Sequence, residues 1–395
     1  MKPKHIVFIQ HGDYMETVKS FAIGGKETYA AQKYSVDYVE NLPAKYEKVS
    51  VICIDLEPEY YEVLPSGVHS YGLRIYTRNG HKKLLALLAD IDPTHIVLRS
   101  PNLPVLCWAI NRKVDIFPNL ADSFSVRGLV SWYKVRKLKK ALNNSHIKFV
   151  SNHNVIASKN LVDIGVNPDK IIPWDWPSAY SPDNFPIREK PYDDSHIKLL
   201  YVGSLIISKG VGDYIDAISL LTKSLNVRFT LNIVGTGSDT NLLKEKCHSL
   251  QLHNDINFVG KVSNSEIIKL MGEHDIIVVP SQSIFPEGLP MVIYEALCSR
   301  TPLILSSHPM FISRLNKSDA LFFEQSNPAS LAATIKSLIQ DQNLYKELSL
   351  NSKHAWEKIQ CPVKWADMIE NWLINTDESL KWLNSYTLDN YNYKL

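Results

Sequence analysis

The sequence predicts two α/β domains in tandem, each a doubly wound parallel sheet flanked by helices. Its 395 residues are too many for one ordinary core and suit two domains of somewhat under ~200 residues each. Short apolar, β-rich runs alternate with helical patterns almost from end to end. Strands apolar on both faces between helices indicate a covered parallel sheet. The alternation breaks once, between 174 and 191, where Pro177, Pro182, Pro186 and Pro191 recur among polar residues. A stretch of that kind continues neither a helix nor a ladder.

In chain order, the first half offers strands at 5–10, 48–55, 94–100, 116–122 and 147–152, with helical spacing at 27–40, 82–89 and 105–111. Beyond the proline-rich linker, strands are expected at 197–202, 229–234, 256–259, 275–280, 302–306 and 320–323. From Pro328 onward the pattern is helical, over 331–340, 345–359 and 363–382. The expected division is a first domain at 1–187, a second at 188–360 and a helical segment at 361–395.

Composition narrows the class. A hydrophobic fraction of 45% and a charged fraction of 21% suit a globular protein. The net charge of +2 gives no overall bias toward nucleic acid, and no nucleic-acid-binding module is present. Cys53, Cys107, Cys247, Cys298 and Cys361 are odd in number and widely scattered. They read as reduced thiols of a cytosolic protein, neither a disulfide framework nor a zinc site. The apolar run after the N-terminal Met-Lys-Pro-Lys-His is too short for a signal peptide, and no stretch is long enough for a membrane span.

In open α/β sheets, ligands bind beyond the carboxyl ends of the strands, and the motifs fall there. The second domain opens with Tyr201-Val202-Gly203-Ser204-Leu205, then Ser208-Lys209-Gly210 before an amphipathic helix. Glycine lets backbone approach a ligand closely, while a lysine and a helix N-terminus attract phosphate. A strand ending in glycine near a lysine is also common without a ligand. Val234-Gly235-Thr236-Gly237 and Phe258-Val259-Gly260-Lys261-Val262 are further turns that geometry alone can explain. The most telling segment is PSQSIFPEGLPMVIYEALCSRTP at 280–302, which carries Glu287 in a loop and Glu295 in the helix that follows. An acidic residue early in a helix can be a cap or a dipole partner. Two of them flanking Gly-Leu-Pro-Met at the mouth of a sheet point to ligand binding.

Residues 201–302 closely resemble the large family of retaining GT-B glycosyltransferases, which have two Rossmann-like domains facing each other across a cleft. Its Glu-x7-Glu element matches Glu287 and Glu295, and its glycine–lysine loop matches Gly203, Lys209 and Gly210. Its Val-Gly-x-Gly and Phe-x-Gly turns match 234–237 and 258–260. The first domain matches more loosely, through Gly24 and Gly25, and the C-terminal helices of this fold commonly cross back to that domain.

The resemblance implies transfer of a sugar from a UDP- or GDP-linked donor to a glycan or lipid-linked acceptor, in surface polysaccharide or glycolipid synthesis. It implies that Lys209 contacts the donor diphosphate as a point charge. Glu287 binds hydroxyls of the transferred sugar, helped by backbone of Gly288, Leu289, Pro290 and Met291, and Glu295 accepts from the ribose hydroxyls. Backbone at Lys261 and Val262 reads the base, Gly203 and Gly235 line the phosphate path, and Gly24 and Gly25 let the first-domain loop approach the reacting centre. Retention is explained in the family by front-face attack, the leaving phosphate taking the acceptor proton, so no side-chain base is required. The resemblance also implies no cofactor and no metal. Asp122 stands where family members often place a His or Asp near the acceptor; it serves equally well as an N-cap.

One departure is Ser204, where the family has an arginine. A hydroxyl forgoes a charge-assisted pair worth roughly 1.5–3 kcal/mol, and Arg99 and Arg127 are candidate replacements by position. Two rival readings are a GT-B nucleotide-sugar epimerase and a non-catalytic sugar-nucleotide-binding subunit; the paired glutamates favour transfer. No Asp or Glu occurs between Asp122 and Asp163, and 127–140 reads as a basic amphipathic segment with Trp132 and Tyr133 interleaved. It suits either an anionic membrane surface or a solvated helix with one face on the core. A cytoplasmic enzyme, peripheral on the membrane, is the resulting expectation.

Overall fold

The computed structural model describes residues 4–27, 31–76, 79–121, 124, 128–191, 193–285, 287 and 290–393. They form two compact units, Met1–Pro177 with Cys361–Tyr393, and Ser178–Gln360.

The first unit is built on β1 (His5–His11), β2 (Lys48–Ile54), β3 (Tyr60–Val63), β4 (His69–Leu73), β5 (His95–Leu98), β6 (Asp115–Leu120), β7 (Val150–His153) and β8 (Ile171–Trp174). They lie in the order β3-β4-β2-β1-β5-β6-β7-β8. All neighbours pair in parallel except β3 with β4. The physics of the sheet is visible in β1, where Ile6, Val7, Phe8 and Ile9 are all fully buried. Strand alternation sends Ile6 and Phe8 into one core layer and Val7 and Ile9 into the other. Helices cover both faces, which is why these strands read as continuous apolar runs.

The second unit holds β9 (His196–Val202), β10 (Arg228–Val234), β11 (Ile256–Gly260), β12 (Ile276–Val279), β13 (Leu303–Ser306) and β14 (Leu321–Phe323). Their order is β11-β10-β9-β12-β13-β14, parallel throughout. Leu199 and Tyr201 face one layer and Leu200 the other.

Besides β8, which the expected strands lack, three features depart from the expected elements. The β3–β4 hairpin makes the first sheet mixed, its antiparallel edge formed by half-exposed residues that lack an apolar run. A helix, Tyr14–Ala22, follows β1 directly, whereas the helix expected over 27–40 is described only at Gln32–Asn41. The segment expected as one helix over 363–382 is two, Trp365–Ile374 and Asp377–Ser385. Asn375 ends the first in the left-handed region at φ 50°, and Thr376 caps the second.

These two helices complete the core of the first unit. Trp365, Met368, Ile369, Trp372 and Leu373 pack into the layer that holds Phe8, Val97 and Phe117. Trp372 stacks on Phe117 at 5.4 Å. The Trp365 indole donates to Asn119 Oδ1 at 2.7 Å, and Asn119 donates in turn to Ser151 Oγ at 2.8 Å. The buried polar atoms are thus satisfied in a chain.

Candidate functional site

In the second unit the glycine turns lie side by side at the carboxyl ends of β9, β10 and β11. Gly203 N–H donates to Val234 O at 3.0 Å, and Gly235 N–H donates to Gly260 O at 2.8 Å. A Cβ on Gly235, whose φ is +134°, would run into the Gly203 carbonyl. The turns therefore need glycine to pack backbone on backbone. Ser204 is exposed on this rim, its carbonyl accepting from the Tyr201 hydroxyl at 2.8 Å.

Past Ser204 the chain makes a short turn, Ile207–Lys209, and Gly210 at φ +73° opens the helix Val211–Ser224. A side chain at Gly210 would collide with the Pro280 carbonyl. The lysine loop is thereby held against the loop that follows β12, and Gln282 N–H donates to Ser208 O at 2.9 Å. Gln282 also donates from Nε2 to Asp213 Oδ2 at 2.9 Å.

That contact brings Lys209 and Glu287 together in a direct ion pair. Both are largely shielded, with side-chain exposures of 15% and 6%. Ser281 Oγ donates to the same carboxylate oxygen at 2.7 Å, and the ammonium sits 4.0 Å from the centre of the Phe285 ring. Phe285 is fixed by its carbonyl, which accepts from His308 Nε2 at 3.1 Å. A shielded cation beside a shielded carboxylate sets one group that attracts anions next to one that accepts hydrogen bonds.

Pro290 precedes the helix Met291–Cys298, where Glu295 is buried. Burial pushes its carboxyl up from 4.5 to about 7, because a charge there is stripped of water. Lys261 is exposed past the end of β11, while Val262 packs against the core layer containing Val279 and Ile293.

In the first unit, Gly24 and Gly25 end the helix Tyr14–Ala22, donating to Phe21 O at 3.1 Å and Ser20 O at 2.8 Å. They lie after a helix, and Gly12 is the glycine that directly follows β1. Arg99 donates to Gln10 Oε1 at 2.7 Å and lies 5.1 Å from the Trp365 ring centre. It lines a cavity of about 370 Å³ with Gln10, His11, Asp13 and Lys26. Asp122, Arg127, Gly288 and Leu289 lie outside the described residues.

Sequence reading missed Ser281, Phe285 and His308, which hold the ion pair, and the cavity in the first unit. The only hint of the first three was position: each follows the end of β12 or β13.

The solved structures similar to this chain define its class, the GT-B fold of two α/β domains. Anabaena HepE, solved in complex with UDP-glucose, superposes with a TM-score of 0.65 over 95% of this chain and 99% of its own, at 14% identity. Residues 184–355 match the family described as Glycosyl transferases group 1. The match lies within the second unit. Among curated relatives, an uncharacterized glycosyltransferase of Methanocaldococcus jannaschii is 26% identical over 174 residues, 42% of this chain and 43% of the relative. The alpha-1,4-N-acetyl-D-galactosaminyltransferase of Campylobacter jejuni that acts on a diNAcBac-PP-undecaprenol-linked glycan is 28% identical over 190 residues, 47% of this chain and 50% of the relative. The chain thus spans half or less of the length of these curated relatives.

Proposed function

We propose that the protein transfers a sugar, with retention of configuration and without a metal, from a UDP- or GDP-linked donor to a glycan or lipid-linked acceptor. The observation that carries this is the Lys209–Glu287 pair, held by Ser281 and Phe285 at the strand ends of a group 1 glycosyltransferase domain. Breaking the bond between sugar and diphosphate builds positive charge on the sugar and negative charge on the leaving group. A prepositioned ammonium meets the second need, and a carboxylate holding sugar hydroxyls fixes the reacting carbon. In this reading Glu295 takes the ribose hydroxyls. Its cost of burial is offset once two O–H groups donate to the ionised carboxylate.

Incubation with a panel of UDP-, GDP- and ADP-sugars tests the proposal. Nucleotide diphosphate release, unaltered by EDTA, is expected with one of them, and NMR of the product should show a retained anomeric configuration. An isomerised donor or binding without turnover would refute it.

The acceptor side of the reading includes docking on an anionic membrane in the cytoplasm. Its support is the helix Gly128–Leu142, where Trp132 and Tyr133 are exposed and Leu138 is buried. Arg136 lies 5.3 Å from the Trp132 ring centre and Lys137 4.4 Å from that of Tyr133. Exposed aromatics set among cations suit a headgroup layer.

A further inference from the structure

Glu287 carries both of its described donors on one oxygen. Lys209 Nζ and Ser281 Oγ each donate to Oε1, the serine at 2.7 Å, and among the described residues Oε2 accepts no hydrogen bond. Glu287 is in turn the one hydrogen-bond acceptor of the Lys209 ammonium among the described residues. The two donors differ in how firmly they are held. Lysine carries its charge at the end of a flexible four-carbon stem and can redirect it. The Ser281 hydroxyl stands one carbon from the backbone, and that backbone is fixed on two sides. Ser306, the last residue of β13, donates from Oγ to the Ser281 carbonyl at 2.5 Å. The carbonyl of Pro280, just before Ser281, lies close against Gly210. Ser281 and Ser306 are 1% and 0% exposed, so neither can turn to water instead.

A nucleotide diphosphate at these strand ends competes with Glu287 for the cation, because phosphate and carboxylate oxygens are both anionic acceptors. Each step of the ammonium toward phosphate withdraws compensation from a carboxylate only 6% exposed. A buried carboxylate short of donors is costly. It must then either rotate away or be retained by a donor that stays. The serine is the donor that stays. Since both donors share Oε1, departure of the lysine leaves Oε2 unchanged and available to hydroxyls of a sugar on the diphosphate.

We infer that Ser281 is the positioning residue of Glu287 and that it sets recognition of the donor sugar, as distinct from the nucleotide. The inference rests on the transferase reading above. Lys209 passes from the carboxylate toward the diphosphate as the donor binds, Ser281 keeps Oε1, and Oε2 accepts from the sugar hydroxyls. Binding of the free nucleotide diphosphate therefore depends on Lys209. The sugar's share of the affinity depends on Glu287 as Ser281 holds it.

The test measures binding of UDP and of UDP-glucose to the full chain by isothermal titration. Where the donor panel selects another sugar nucleotide, that compound and its free diphosphate take their place. Ser281→Ala should weaken UDP-glucose about fivefold or more and leave UDP within about twofold, which also shows that the variant is folded. Ser306→Ala, which keeps the hydroxyl and loosens the backbone behind it, should give the same selective loss at smaller size. Glu287→Ala should lower UDP-glucose affinity by itself. Adding Ser281→Ala to it should change that affinity by less than about twofold, because a residue acting only through Glu287 has nothing left to hold. Equal losses for UDP and UDP-glucose in Ser281→Ala, or losses that multiply in the double variant, would overturn the inference while leaving the transferase reading intact. Failure of the wild type to bind any sugar nucleotide would overturn both.

Discussion

Replacing Glu295 by glutamine should stabilise the second unit at alkaline pH and leave it unchanged in acid. The folded carboxyl titrates at about 7 against 4.5 in the ordinary state, with burial as the cause. Between those values the folded protein holds a proton that the unfolded chain has released, so stability falls as pH rises through this window. Each unit of difference is worth 1.36 kcal/mol, which makes the full loss about 3 kcal/mol above pH 8. Glutamine has the same shape and no charge to strip of water. The assay is urea unfolding of both proteins by circular dichroism at half-unit steps from pH 4.5 to 8.5. The gap should grow from near zero to about 3 kcal/mol and then level off. A gap independent of pH would refute the argument, because it would mean that the carboxyl does not titrate differently in the folded state. UDP should shrink the gap at pH 8 if the ribose hydroxyls donate to the carboxylate.

Four further outcomes are expected. Glu287→Gln should abolish transfer while weakening donor affinity by only about five- to 150-fold, since one lost contact costs roughly 1–3 kcal/mol; normal turnover would remove Glu287 from the site. Lys209→Ala should reduce the rate more than Ser204→Ala, and Ser204→Arg should raise donor affinity by isothermal titration if the exposed rim lacks a cation. Tyr214→Phe should raise stability by about 1 kcal/mol, because the Tyr214 hydroxyl is fully buried without a hydrogen bond among the described residues; a loss in urea melts would show that the hydroxyl is served. Replacing Lys137, Lys139 and Lys140 with Gln should weaken co-sedimentation with phosphatidylglycerol vesicles by about 3 kcal/mol, at about 1 kcal/mol per cation, with the attraction screened by salt; salt-insensitive sedimentation would discard the membrane surface.

The legible parts of the fold were those whose signal is local. Ile6–Ile9 and Leu199–Tyr201 are apolar on both faces, so burial on both sides of a sheet could be read from composition alone. The hairpin of β3 and β4 was hidden because Tyr61 and Val63 are exposed, and half-solvated edge residues carry no apolar run. In the site, Glu287 and Lys209 stood out through the glycines and prolines around them. The residues that pin them, Ser281, Phe285 and His308, acquire their roles only when the ends of β9, β12 and β13 are brought together. Locally, the glycines at 203, 235 and 260 read as turn or phosphate residues; the backbone packing between the first two is a tertiary contact that no window along the chain contains.

The tryptophans that close the first unit, Trp365 and Trp372, are made only after the whole of the second unit. As it leaves the tunnel, the first unit has its sheet but lacks one wall of its core. Phe8, Val97 and Phe117 must wait for the whole of Ser178–Gln360 to be made. At the usual ~5–20 residues per second, that wait is on the order of ten seconds or more. The second unit, continuous in sequence, can fold during that interval. Birth order and folding order are thus reversed: the domain made first is completed last. Until those helices arrive, that apolar face stays open to solvent and to misassembly.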